Sequence, residues 1–245
     1  TRGDFTDRYM FTADYTYPSS EKLYDWELGY TYTAPRLSLG VNLYYMKYKD
    51  QLVPMGRIND GYDALNDNVD DSYRRGVELS ASWKVTGWFT ASANATFSQN
   101  RIESYVDALK DSPTYGKELG DMTIAYSPDV IANAFLNFHH RGFEAVFHTQ
   151  HVGKQYFTNN ENDALSLDAY CVTNLNLAYT FRTRSARSVR LGLLINNLFN
   201  AEYESNGYGY SYMDTWSGPA PVRIDEAYYF PQAPLNVLAN VTVKF

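Results

Sequence analysis

The chain has 245 residues, of which 44% are hydrophobic and 16% aromatic, and its formal charge is −7. That charge excludes the basic face a nucleic-acid binder needs, and no apolar run approaches the ~18 residues of a membrane-spanning helix. The single cysteine, Cys171, excludes an internal disulfide and any cysteine-based zinc site.

No shift in composition marks a linker, so residues 1–245 read as one unit. Thr1-Arg-Gly-Asp carries neither an initiator Met nor the apolar core of a signal peptide and reads as a cut or processed end. Residues 1–23 break at Pro18-Ser-Ser without sustained alternation, which predicts a lead-in loop.

The first strand is predicted over 24–33, where Trp26, Leu28, Tyr30 and Tyr32 alternate with Asp25, Glu27, Gly29 and Thr31 at the two-residue period of a pleat. After a turn at 33–36, the second runs over 37–52 with Leu37, Leu39, Val41, Leu43 and Tyr45 on one parity, and a long polar loop is expected to about residue 72. The third, 73–84, sets Val77, Leu79, Ala81 and Trp83 against Gly76, Glu78, Ser80 and Ser82. A turn at 85–87 leads to the fourth, with Phe89, Ala91, Ala93, Ala95 and Phe97 against Thr90, Ser92, Asn94, Thr96 and Ser98.

A second long loop is expected over 99–129, with a strand extension at 122–126. The fifth and sixth strands form a hairpin through His140-Arg-Gly142, presenting Ala132, Ala134, Leu136 and Phe138 on one and Phe143, Ala145 and Phe147 on the other. A polar loop at 158–168 precedes the seventh, in which Thr173, Leu175, Leu177, Tyr179 and Phe181 oppose Asn174, Asn176, Ala178 and Thr180. A basic turn at 182–187 leads to the eighth, with Val189, Leu191, Leu193 and Ile195 on one face. The longest excursion, rich in Tyr, Gly and Pro, then runs to Pro234, and the terminal strand, 235–245, alternates Val237, Ala239, Val241, Val243 and Phe245 with polar partners.

The connections alternate between short and long, as in an up-and-down meander through a membrane with tight turns on one side. Aromatic rings crowd beside the short turns: Tyr30 and Tyr32, Trp83 and Trp88, Phe138 and Phe143, Tyr179 and Phe181, and Phe245. Such a girdle marks a membrane interface. A soluble sandwich or lipocalin-like barrel shares the alternation but has no reason to line one set of turns with rings. The fold class is therefore all-β, a transmembrane antiparallel β-barrel with about nine strands in this chain.

No catalytic constellation appears. His139, His140, His148 and His151 are close in sequence, but the predicted hairpin separates His148 and His151 onto opposite faces. The segment from Asn59 to Asp71 offers hard oxygens suited to Ca²⁺, yet lacks the Gly and Glu positions of a calcium loop and reads first as a solvated acidic loop. The last long loop is the ligand candidate. Tyr203, Tyr208, Tyr210, Tyr212, Trp216, Tyr228 and Tyr229 supply rings, and Asp214, Arg223, Asp225 and Glu226 supply charge. The same rings could instead pack the loop on itself or continue an outer girdle. Lumen-facing Glu27, Glu78, Arg190 and Lys244 would set the field in a channel or pair with an internal plug.

The segment Arg190-Leu-Gly-Leu-Leu-Ile-Asn-Asn-Leu-Phe-Asn-Ala-Glu-Tyr203, followed by Glu204-Ser-Asn-Gly207, resembles the near-terminal motif of TonB-dependent outer-membrane receptors. The strand ending in Phe245 resembles the signal read by the outer-membrane assembly machinery. Residues 19–29, 43–52 and Val152-Gly-Lys-Gln-Tyr156 resemble barrel segments of the same family, in the form common among Bacteroidetes. The resemblance implies a barrel of about 22 strands closed by a plug, of which this chain supplies the carboxyl-terminal part while the plug and the amino-terminal strands are absent from it.

It further implies localisation in the bacterial outer membrane and active import of a scarce ligand, an iron chelate (siderophore) first, with haem, cobalamin or an oligosaccharide as alternatives. The implied partners are the TonB complex acting through the plug, the amino-terminal barrel fragment, outer-membrane lipid, a small-molecule ligand and a surface lipoprotein. A passive porin and a surface adhesin or lectin barrel are the readings of a different class.

Overall fold

The computed structural model describes residues 18–58 and 64–245. Its strands, in chain order, are β1 (Lys22–Ala34), β2 (Leu37–Ile58), β3 (Ala64–Lys84), β4 (Phe89–Val106), β5 (Glu118–Thr123), β6 (Val130–His140), β7 (Phe143–Val152), β8 (Gln155–Tyr156), β9 (Ser166–Leu167), β10 (Tyr170–Phe181), β11 (Ser188–Asn196), β12 (Glu204–Asp214), β13 (Val222–Pro231) and β14 (Asn236–Lys244). A 3₁₀ turn, Asp163–Leu165, precedes β9.

Nine strands form one antiparallel path, β1-β2-β3-β4-β6-β7-β10-β11-β14, and β5 pairs with β4 beyond the end of β6. This is the predicted meander of about nine strands. Among the described residues the sheet does not close, and β1 and β14 are its two edges.

The register explains why the alternation matters. Trp83, Ala91, Leu136, Phe147, Leu175, Ile195 and Val237 are successive cross-strand partners, so one apolar row runs across seven strands. Leu28, Leu43, Val77, Phe97 and Val130 form a second row. On the opposite face Ser80, Asn94, Asn133 and Gln150 are partners. A slip of one residue in any strand would exchange its two faces. The apolar rows have no protein layer over them: Leu28 is 71% and Tyr30 68% exposed. A continuous apolar band this wide needs hydrocarbon as its neighbour.

Rings bound the band at both ends. Beside the short turns, Phe89 stacks on Phe138 at 4.6 Å and Trp88 on Phe138 at 6.1 Å. At the far end, Trp26 lies 5.8 Å from Tyr45 and Tyr45 lies 6.2 Å from Tyr73, a second girdle that the sequence does not single out. The hairpin β6–β7 turns in two residues because Arg141 and Gly142 both take positive φ, 49° and 85°, matching the twist of its strands.

The expected long loops are largely strand. The segment after residue 52 continues as β2 to Ile58 and returns as β3 from Ala64, with partners from Val53↔Asp67 to Ile58↔Ala64. Residues 99–106 prolong β4, the expected extension at 122–126 begins earlier as β5, and the excursion after Asn197 holds the hairpin β12–β13. Beyond the membrane both faces of a strand meet water or other loops, so the apolar alternation that reveals a strand lapses although backbone pairing continues. Residues 1–17, within the predicted lead-in loop, and 59–63, within the acidic segment, lie outside the described residues. In the rest of that segment Asp67, Asp70 and Asp71 lie on β3, where Lys47 and Lys49 engage Asp71 at 2.9 and 2.6 Å.

Burial is concentrated outside the membrane band. Val53, Ile102, Tyr105 and Ile124 form one cluster between β2, β4 and the segment after β5. Phe157, Leu165 and Leu167 form another, at most 2% exposed, the first just before and the other two inside the predicted polar loop.

Candidate ligand-binding face

The hairpin β12–β13 is held at its base by two asparagines. Asn197, with φ 51°, donates from Nδ2 to the carbonyls of Ala201 at 2.8 Å and Ala233 at 3.2 Å, while its Oδ1 accepts from the Ala201 amide at 2.8 Å. Asn200 accepts from the Leu235 amide at 2.9 Å. The Asn-Leu-Phe-Asn sequence therefore clamps the two ends of the excursion together above β11 and β14. Tyr203 stacks on Tyr170 at 4.6 Å beside the clamp.

The hairpin's two faces differ because its residues alternate Gly-Tyr-Gly-Tyr-Ser-Tyr from Gly207 to Tyr212. Gly207 and Gly209 lie against the Phe157–Leu165 cluster so closely that a Cβ would fall 2.7 Å from the Phe157 ring and 2.8 Å from Leu165. Tyr229 also faces Phe157, at 5.7 Å. On this same face Arg223 donates to Asp225 at 2.9 Å and to Ser211 at 3.0 Å.

The other face carries Tyr208, Tyr210, Tyr212, Tyr228 and Glu226. Tyr210 and Tyr228 both donate to Glu226 Oε2, at 2.7 and 2.9 Å, and Tyr212 donates to Oε1 at 3.2 Å. Tyr208 stacks on Tyr228 at 4.9 Å and Tyr210 lies 6.5 Å from Tyr228. The phenol hydrogen bonds from Tyr210 and Tyr228 hold the Glu226 carboxyl below the usual carboxylate range. In return the Glu226 carboxylate raises both phenols above their ordinary value. With their protons committed to Glu226, the phenol oxygens keep lone pairs free to accept, beside the exposed rings of Tyr208, Tyr212 and Tyr228. Such a face stacks apolar surface and accepts hydrogen bonds from a ligand.

Of the eleven residues singled out in the sequence, Tyr208, Tyr210, Tyr212, Tyr228 and Glu226 meet on this face, and Tyr203 lies beside the clamp. Tyr229, Arg223 and Asp225 lie on the opposite one, and Trp216 stands at the tip, 85% exposed, in a turn capped by Asp214. Sequence reasoning named Glu226 only as one of four charges, not as the hub of the tyrosines, and missed the Phe157–Leu165 platform beneath. The first was legible, because Glu226 pairs with Tyr210 once the tyrosine alternation is read as a strand. The second needed a contact between segments distant in sequence, which no local pattern carries.

The hairpin also leans on the outer part of the sheet: β12 lies against β2, and Tyr126 donates to the Gly207 carbonyl at 3.3 Å. Nearby, at the outer ends of β2, β3 and β4, a cavity of about 590 Å³ is lined by Asp67, Asp70, Asp71, Glu103 and Asp107 among others. In the band, Asn42 donates from Nδ2 to Glu27 and Glu78, 3.2 Å each, on the polar face. His148 shares that face, stacked on Phe135 at 4.3 Å and bonded to Asn133 at 3.0 Å, while His151 pairs with Ala132 and Cys171 on the apolar one.

A family model described as TonB dependent receptor-like, beta-barrel matches residues 1–198. No curated protein matches the chain. Among solved structures, the chain is similar to the ferric yersiniabactin uptake receptor FyuA from Yersinia pestis, at 20% identity and a TM-score of 0.63 over 92% of this chain and 30% of that one. It is similar to the copper transporter OprC at 19% identity and 0.63, over 91% and 31%. It is also similar to BauA, the ferric preacinetobactin receptor from Acinetobacter baumannii, at 15% and 0.62, over 92% and 30%. The chain thus spans about 30% of the length of these structures, and at such identities the likeness is one of fold.

Proposed function

The chain belongs to the TonB-dependent receptor-like β-barrel family of the bacterial outer membrane, and from that premise we propose that it serves in an energy-coupled importer whose cargo is an iron chelate. In this reading residues 1–245 form the carboxyl-terminal wall of a barrel of about 22 strands closed by a plug. The unpaired edges of β1 and β14 would join the remaining strands. Glu27 and Glu78, which share only the Asn42 amide in the described structure, would receive cationic side chains of the plug. TonB, drawing on the inner-membrane proton gradient, would shift the plug and release cargo inward. A surface lipoprotein is a further partner compatible with this arrangement.

The observation that carries the reading is the tyrosine face of β12–β13, placed beyond the outer girdle by a hairpin clamped at its base. The likeness to the ferric yersiniabactin uptake receptor and to the ferric preacinetobactin receptor supports an iron chelate as the cargo class. An oligosaccharide is the second reading, favoured by phenol oxygens and a carboxylate beside flat rings, since sugar hydroxyls donate and sugar C–H faces stack.

The test is uptake of radio-labelled ferric chelates by cells carrying or lacking the full-length receptor, in the presence and absence of TonB. Uptake should require both. Chelate entry that persists without TonB would make the barrel a passive pore, and oligosaccharide binding without chelate uptake would favour the second reading.

A further inference from the structure

The short turns of the meander form a rim of one charge. Arg36 stands in the β1–β2 turn, Lys84 closes β3 at the next, and Arg141 occupies the β6–β7 turn. The β10–β11 turn adds Arg182, Arg184 and Arg187, and Lys244 ends β14 at the same level. All seven are exposed, and among the described residues none makes a side-chain hydrogen bond or ion pair. The four turns hold no Asp or Glu. Glu144, near the start of β7, is already engaged by Arg190 through two bonds of 2.7 and 2.8 Å. The opposite end of the sheet carries the acidic cavity lined by Asp67, Asp70 and Asp107, so the protein is polarised across the membrane although its net charge is −7.

Like charges gathered along one rim repel unless an anion lies among them. Their depth indicates which anion. Lys84 adjoins Trp83, Arg182 adjoins Phe181, and Arg141 is two residues from Phe143, all rings of the girdle that marks the boundary between hydrocarbon and headgroups. Cations one or two residues beyond that boundary reach the level of lipid phosphates, where basic side chains are drawn to anionic headgroups.

We propose that this rim binds anionic phospholipid headgroups of the periplasmic leaflet, and so fixes the depth and tilt of the barrel wall. The inference rests on placement in the outer membrane and is independent of the cargo.

The test uses the full-length receptor in detergent, titrated with phosphatidylglycerol or with phosphatidylcholine of the same acyl chains and read by native mass spectrometry. Phosphatidylglycerol should be retained in preference. Its retention should fall about fivefold for each charge removed in the series R184Q, R182Q/R184Q and R182Q/R184Q/R187Q, and should weaken at high salt. K110Q, at an exposed lysine of the opposite end, should leave it unchanged. Equal retention of the two lipids, or undiminished phosphatidylglycerol in the series, would overturn the proposal. So would a series that keeps its lipid but loses affinity for an acidic polypeptide, which would make the rim a protein dock. R184Q alone, at an exposed residue without partners, supplies the reading should the triple variant fail to fold.

Discussion

Asn159 and Pro54, 105 residues apart in sequence, are joined by a hydrogen bond of 2.5 Å from Asn159 Nδ2 to the Pro54 carbonyl. Asn159 is fully buried, and its Oδ1 accepts from the Ala125 amide at 2.7 Å. One side chain thus ties the loop carrying Phe157 and Leu165 to β2 and to the segment after β5. Glu161 adds a second tie, bonded to Arg101 and to both the amide and hydroxyl of Thr123. The platform under the tyrosine face is therefore fixed to the barrel wall, and the face inherits that rigidity.

Asn159→Ala would leave the buried Ala125 amide without its partner, at a cost of roughly 1–3 kcal/mol, and would free the half-buried Pro54 carbonyl at a smaller cost. Hydrogen exchange at Ala125 and across residues 155–167 should accelerate, while the membrane strands keep their protection. Unchanged exchange in the loop would show that Glu161 alone holds it.

Glu226 governs the titration of the hairpin. Its carboxyl is depressed by Tyr210 and Tyr228, so its hydrogen bonds are fully present above the ordinary carboxylate value of about 4.3 and are lost only as pH falls through the lower folded value. Tyr210 and Tyr228 are raised by the same bonds. Their contribution is complete below pH about 10 and is lost as pH climbs through the raised folded values. In Glu226→Gln, tyrosinate absorbance should show these phenols titrating earlier than in the parent. Superimposable curves would mean that the carboxylate does not engage them in solution.

Gly142 takes φ 85°, and a Cβ there would collide with the Thr180 carbonyl oxygen. Gly142→Ala should cost of order 1–3 kcal/mol through strain at positive φ, with displacement of β10 adding to it. The measurement is unfolding by urea in lipid vesicles, and a variant as stable as the parent would refute the close approach of this turn to β10.

Ala93 and Asn94 are neighbours on opposite faces of β4, paired with Ala134 and Asn133 of β6. Ala93→Arg puts a charge near the middle of the lipid band and should cost about 2–4 kcal/mol. Asn94→Arg should be mild, because the polar face already holds a hydrogen-bonded Asn133 at 3.2 Å. Equal losses in the same unfolding assay would reverse the assignment of the faces.

The membrane wall is written in the order of the residues. The two-residue period from Trp26 to Tyr32, from Phe89 to Phe97 and from Val237 to Phe245 is legible because hydrocarbon constrains one face of every strand, and the rings beside the short turns mark where that constraint ends. Outside the membrane, long-range packing makes the choice. The return of β3 from Ala64, the pairing of β5 with β4 and the burial of Phe157 beneath Gly207 carry no period, because water and protein both satisfy a strand there and contacts distant in sequence choose between them. The candidate face shows both cases. Its tyrosines could be read as a set, but their meeting around Glu226, and the turning of Arg223 and Tyr229 to the other side, follow from the register of one hairpin.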